Sequence, residues 1–285
     1  MGDGTVSVRA LTAPPFAPLQ ACLARLPGDR FPDCADLNLL LGASVLNGTG
    51  RPVHCVRSSN DHADQAYETR AWRSGEIVTR PDNWHDLFNS LAWCVFPETK
   101  REINAQHAAR LATPTTGAGS SGGSRGAARD VLTLFDEDGI IVPCALPELA
   151  ELLTTFQWKA LFWERREQVR RHMDFCVFGH ALYDKLRAPF HGVTAKALLL
   201  QVDEVFFSMP AAARLATIDA MAAARLREPA TLQSTRGLAP LPVLGIAGWC
   251  EQNEAAEYYD DARQFRPGRR NASAEASAGS VWPKA

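Results

Sequence analysis

Residue types capable of chemistry are most concentrated in Pro81 to His107, PDNWHDLFNSLAWCVFPETKREINAQH, where two histidines, three asparagines, two aspartates and a lysine interleave with two tryptophans. Imidazole nitrogens and carboxylate oxygens form a donor set for divalent metals, and a metal with an open coordination position activates water. At ~100° per residue, Trp84, Leu87, Phe88, Leu91, Ala92 and Val95 form one apolar arc, with His85, Asn89, Trp93 and Phe96 along its edge. His85 and Asn89 are four positions apart and share a face. In the next helical stretch Lys100, Asn104, His107 and Leu111 form a stripe beside Ile103. Polar groups therefore stand where the core begins, and each needs a partner. Either they converge with Asp86, Asp130 or Asp136 on a metal or a substrate phosphate, or they satisfy one another and nearby backbone.

Further candidates lie downstream. Asp130, then Asp136, Glu137 and Asp138 ahead of Gly139, put acids at an expected hairpin tip, where turn chemistry alone would also explain them. FGHALYDK sets His180 and Asp184 four apart on a helix, with Lys185 next and His191 in the loop beyond. Asp184 would then orient the His180 imidazole for acid-base work, or simply pair with it at the surface. Arg165, Arg166, Arg170 and Arg171 alternate with Glu164 and Glu167, the pattern of a solvated helix face.

These groups must be carried by a mostly helical α+β chain: a helical body, a small antiparallel hairpin or sheet, and an irregular C-terminal wrap. Helices are expected near Pro18 to Leu26 and Ala35 to Val45, and a short β piece at Val53 to Arg57. Asp82 or Asn83 caps a helix from Trp84 to Phe96, Pro97 stops it or stands in the first turn of a second helix, and that second runs from Glu98 to Leu111. The Gly, Ser and Thr of residues 113–128 predict a flexible loop. VLTLFDEDGIIVPC, Val131 to Cys144, reads as a β-hairpin closed by Gly139. Helices are predicted from about Leu149 to His172, Phe175 to Arg187, Thr194 to Glu204, and Met209 to Leu226 with Ser208 as cap. Residues 1–267 read as one globular domain and 268–285 as a disordered tail.

The totals exclude several function classes. Thirty Lys and Arg against thirty-two Asp and Glu give a net charge of −2, so no whole-chain field gathers nucleic acid or anionic lipid. Seven cysteines without a CxxC pair argue against a zinc ribbon or a disulfide framework. No apolar run reaches the ~18 to 20 residues of a membrane span, and no signal-peptide pattern opens the chain, so the expected location is cytoplasmic. GxxxxGK[ST] and HExxH are missing. The GxGxxG of Gly117 to Gly122 and the GxSxG of Gly119 to Gly123 lie between a predicted helix and a predicted strand, the reverse of the context those motifs require.

The doublet His85-Asp86 is also found in the all-helical HD-type metal phosphohydrolases, whose ligand set would here require His54 or His62 upstream and Asp130 downstream. A longer resemblance rests on five blocks in order: WHDLFNSLAWCVFPETKREINAQH, RDVLTLFDEDG, FGHALYDK, TAKALLL and LPVLGIAGWCEQNEAAEYYDDARQFRP. Together they resemble the proteobacterial domain-of-unknown-function family catalogued as number 3025. That resemblance implies a bacterial source and brings no activity. Its motif positions are His85, Asp86, Asn89, Lys100, Asn104, His107, Arg129, Asp130, Asp136, Glu137, His180 and Lys185.

Two functions follow as expectations. The first is a metal-assisted hydrolase acting on a phosphoester, with His85, His107, His180 and Asp136 as ligands of a divalent metal and Asp86, Asn89, Asn104, Asp130 and Lys185 as catalytic or orienting groups. The second is a non-catalytic cytoplasmic binding or scaffold protein that presents Trp249 to Phe265 to a protein partner.

Overall fold

The helix at the centre of the sequence argument, α4 (Trp84–Val95), begins where expected because the Asn83 side chain accepts the Asp86 N–H at 3.0 Å. It ends at Phe96, and Pro97 opens α5 (Pro97–Ala112), since proline lacks only an N–H that the first turn leaves unbonded anyway. The free amides of that turn meet a buried acid from far along the chain: Glu98 and Thr99 donate to the Asp219 carboxylate at 2.9 and 2.8 Å. Asp219 belongs to α10 (Ala211–Arg227), so this one cap ties the α4–α5 corner to a helix 120 residues on.

The computed structural model describes residues 8–59, 67–112, 122–234 and 237–268. Before α4 come α1 (Gln20–Leu23), α2 (Cys34–Leu41) behind an Asp33/Asp36 capping box, and the parallel pair β1 (His54–Arg57) and β2 (Glu76–Thr79) with α3 (Tyr67–Ser74) between. After α5 come α6 (Gly122–Asp138), β3 (Gly139–Cys144), α7 (Pro147–Thr154), α8 (Arg166–His172), β4 (Cys176–Val177), α9 (His180–Arg187), β5 (Thr194–Gln201), α10 and β6 (Ala239–Pro242). The second sheet has the order β4-β3-β5-β6, with β3 and β5 parallel at its centre and both outer pairings antiparallel.

This sheet divides two cores, because alternate strand residues face opposite ways. Ile140, Val142, Ala195 and Ala197 join the core of α4, α7 and α9, where Phe16, Phe88 and Tyr183 stack with centroids 5.4 to 6.0 Å apart. Ile141, Leu198 and Leu200 join the other, with Phe96, Ile103, Val131, Leu132, Phe135 and Ile218. Each fully buried aliphatic or aromatic side chain in such a core contributes roughly 1.5 to 3 kcal/mol.

The mostly helical α+β class holds. Several expected elements differ. Val131 to Cys144 is no hairpin: α6 runs to Asp138 and β3 follows at once, with Val131, Leu132 and Phe135 packed at helical spacing. Gly139 has no positive φ. What it provides is room, since a Cβ there would strike the Phe135 carbonyl and ring. Most of the predicted Thr194 to Glu204 helix is strand β5 (Thr194–Gln201), whose Ala and Leu positions alternate between the two cores. The long helix of Leu149 to His172 is interrupted by Phe156 at φ 62° and by a π-helical turn at Ala160–Glu164. Within the predicted Phe175 to Arg187 helix, Cys176 and Val177 form β4 and the helix begins only at His180. Ser208 does not cap α10. Its hydroxyl donates to the Val205 carbonyl at 2.7 Å. Of the expected flexible loop, residues 113–121 lie outside the described residues and α6 begins at Gly122. Residues 269–285 of the expected tail also lie outside them.

The seven cysteines form no disulfide. Among the described residues no helix is long and apolar enough to cross a membrane. The C-terminal wrap turns its rings inward, burying Tyr259 and Phe265 in the first core with Trp249 and Tyr258 packed against it.

Candidate metal centre

Helix α6 ends in Asp136, Glu137 and Asp138 with no basic residue in its last turn. Three carboxylates at the negative end of a helix dipole are unfavourable unless cations meet them. Each is met, by side chains of α4, α5 and α9. Lys100 of α5 pairs with Asp136 at 2.6 Å, and Lys185 of α9 pairs with Asp138 at 2.5 Å. Between them Glu137 receives two imidazoles, His85 from the first turn of α4 and His180 from the first turn of α9.

A glycine makes the second approach feasible. Phe178 and Gly179 both donate their backbone N–H to the Gly139 carbonyl, at 3.0 and 2.8 Å, which seats the start of α9 on the end of α6. A Cβ at position 179 would collide with the Glu137 carbonyl and with the amides of Asp138 and Gly139. His180 thus reaches Glu137 because the preceding residue has no side chain.

The two histidines meet Glu137 in the same way. His85 Nε2 lies 3.3 Å and His180 Nε2 3.5 Å from the same Glu137 oxygen, Oε2. The rings are edge to face with centroids 4.5 Å apart. One potential ligand atom from each of His85, Glu137 and His180 lies within 4.8 Å of the others. The far nitrogens differ: His85 Nδ1 is 3.4 Å from Asp86 Oδ1, whereas His180 Nδ1 lies 3.8 Å from Asp136 Oδ2 and is buried without a hydrogen-bond partner among the described residues. Behind these aspartates stand cations. The Arg80 guanidinium grips both Asp86 oxygens at 2.8 Å, and Lys100 Nζ bonds Asp136 and the Asn89 carbonyl, the latter at 2.9 Å. Two arms of cation, carboxylate and imidazole therefore converge on one glutamate.

The charges follow the contacts. Hydrogen bonds from His180 and His85 hold Glu137 well below the usual carboxylate range. His85 is pushed up to about 9 by Asp86 and Glu137. Burial works to raise Asp86, and the bonds from Arg80 and His85 override it and lower it strongly. Asp136 behaves alike, with burial opposed by Lys100 and His180.

Of the residues singled out from sequence, His85 and His180 are brought together and Asp136 stands directly behind His180. Asp86 backs His85, Asn89 and Asn104 lie in the polar layer behind the cluster, and Lys185 neutralises Asp138. His107 does not join the ligand cluster. It is buried farther along α5 and held neutral, with burial pulling it down to about 4. Asp130 is exposed on α6, turned away because it precedes Asp136 by six positions, which is off the 3.6-residue repeat. Asp184 pairs with Arg187 rather than with His180. The HD-type ligand set is not assembled, since His54 and Asp130 are both exposed and His62 lies outside the described residues.

Sequence reasoning passed over Glu137 as a ligand, together with Arg80, Tyr67 and Glu68. The usable signal for Glu137 was the acidic triplet itself, which reads as turn chemistry only while α6 is taken for a strand.

No curated protein and no solved structure matches the chain. The family model described as a protein of unknown function (DUF3025) matches residues 53–269, a span that includes both arms, Glu137 and Lys185. The chain belongs to that family.

Proposed function

We propose that His85, Glu137 and His180 bind one divalent metal and that the protein is a metal-assisted hydrolase of phosphoesters. One observation carries this reading: both Nε2 atoms face the same carboxylate oxygen while both Nδ1 atoms face an aspartate. A carboxylate behind a ligating histidine fixes the tautomer that leaves the other nitrogen free for a metal. Two histidines and one carboxylate leave coordination positions for water and substrate. A divalent ion bound there supplies Lewis acidity and lowers the pKa of bound water. Asp86 orients the His85 imidazole, the Asp136 charge faces His180 Nδ1 across 3.8 Å, and Arg80 and Lys100 hold those carboxylates. The half-exposed Arg80 and Lys185 side chains add positive charge beside the cluster for an anionic ester.

The test is turnover of phosphomonoesters and phosphodiesters by protein loaded in turn with Mn²⁺, Zn²⁺ and Fe²⁺. The expected result is metal-dependent hydrolysis that is lost in His85→Ala and His180→Ala. A metal-loaded protein that cleaves none of them would overturn the hydrolase reading.

The other reading, a non-catalytic binding or scaffold protein, draws on the way Lys100, Asp136 and Asn89 satisfy one another in the interior. It expects a partner to be captured with no effect of His85→Ala, although the rings of Trp249 to Phe265 that were expected to present that surface are turned into the first core.

A further inference from the structure

The seven thiols fall into two kinds. Cys55, Cys144 and Cys250 each engage an oxygen: Cys55 Sγ lies 3.2 Å from the Ser90 hydroxyl, Cys144 donates to the Leu146 carbonyl at 3.1 Å, and Cys250 donates to Gln252 Oε1 at 2.5 Å. Cys176 is buried in the second core, and Cys34 opens α2 beside the Asp33 carboxylate. Cys22 and Cys94 differ from all of these, because each has the other as its hydrogen-bond partner.

The fold assembles this pair from distant parts of the chain. Cys22 lies on α1 and Cys94 in the last turn of α4, and the two helices pack with Cα atoms within 8 Å. A disulfide requires Cα atoms within ~7 Å and side chains that point at each other, and thiols in hydrogen-bond contact meet the second condition. Both residues are half-buried at the edge of the first core and so partly open to solvent. The contact is also asymmetric. The hydrogen bond with Cys94 lowers the Cys22 thiol against the effect of burial, with the Arg25 charge acting in the same direction, while that bond and burial both push Cys94 up. Cys22 is the sulfur that ionises first, and the thiolate is the form that attacks a disulfide.

We propose that Cys22 and Cys94 are a site of reversible oxidation, forming a disulfide between α1 and α4 by exchange with a small disulfide such as oxidised glutathione. The Cys22 thiolate attacks one glutathione sulfur, the S–S bond of glutathione breaks, and one glutathione thiolate leaves. Cys94 then gives up its proton and attacks Cys22 Sγ, which breaks the mixed disulfide and releases the second glutathione. Two electrons and two protons pass from the protein to glutathione, giving one protein disulfide and two glutathione thiols. The bridge closes a loop of chain that includes Arg80, His85 and Asp86. The inference stands whether or not the cluster at Glu137 binds metal.

The test incubates native full-length protein with oxidised glutathione, quenches with acid, alkylates the free thiols under denaturing conditions and counts them by mass spectrometry. The expected result is a loss of two of the seven thiols, with a crosslinked peptide joining Cys22 to Cys94 and recovery of all seven by dithiothreitol. In Cys94→Ser one glutathione should remain attached to Cys22, since no second thiol displaces it, and in Cys22→Ser the Cys94 thiol should stay free. Seven free thiols in the oxidised wild type, a bridge between any other pair, or a glutathione adduct on Cys22 that persists beside a free Cys94 would overturn the proposal. These outcomes are read on the wild type, so neither variant has to fold for the proposal to fail.

Discussion

The arm of Lys100, Asp136 and His180 and the arm of Arg80, Asp86 and His85 perform the same task in different surroundings. In the first, the side chains are 2, 9 and 5% exposed, and the ammonium is further enclosed by Asn89 and by the Trp93 ring, 5.5 Å from its centroid. In the second, Arg80 and His85 are 57 and 36% exposed. The comparison separates stability from chemistry. A buried ion pair is costly to break, because the remaining charge cannot be solvated, whereas an exposed pair exchanges its partner for water. The buried arm therefore holds its charges rigidly beside His180, and the exposed arm leaves His85 open to solvent and to incoming ligands.

The sharpest way to break this contrast is Lys100→Met, which strands Asp136 inside the protein. Denaturant unfolding should show a loss of about 3 to 5 kcal/mol. A loss below about 1 kcal/mol would mean that Asp136 takes a proton or finds another partner.

The buried side also sets an acid limit. His107 in the folded chain is pulled from its ordinary 6.5 down to about 4. Between those values the unfolded chain binds the additional proton, so stability rises with pH across that window and falls as pH drops from about 6.5 toward 4. At about 1.4 kcal/mol per pKa unit, the contribution reaches up to about 3 kcal/mol. Unfolding free energies measured across this range should show the slope, and His107→Gln should flatten it.

On the exposed arm, Arg80→Ala should cost only about 0.2 to 1 kcal/mol of stability. It should still weaken metal affinity roughly tenfold, the lower end of the effect of losing the support behind a metal ligand. Metal titration beside unfolding of the same variant separates the two numbers. Equal losses in both would make the arms alike and remove the contrast.

How much of this was legible depended on whether the deciding contact was local. The Asn83 cap and the Pro97 stop are local signals, and α4 and α5 fall where those residues place them. Thr194 to Gln201 carries helix-forming Ala, Lys and Leu, and becomes a strand only because β3 and β6 flank it. The acidic run before Gly139 looks like a turn until Lys100, Lys185 and two histidines from other elements neutralise the end of a helix. The sequence offers His85 and His180 as candidates by residue type. Their meeting on Glu137 depends on Gly179 seating α9 against α6, a tertiary contact with no local signature.

The most direct test of the central claim is the metal content of protein purified without chelator and then incubated with Mn²⁺, Zn²⁺ or Fe²⁺, measured beside Glu137→Gln that remains folded by circular dichroism. The account predicts about one divalent ion per wild-type chain and none in the variant. A wild type that binds no metal, or a variant that binds as much as the wild type, would contradict it.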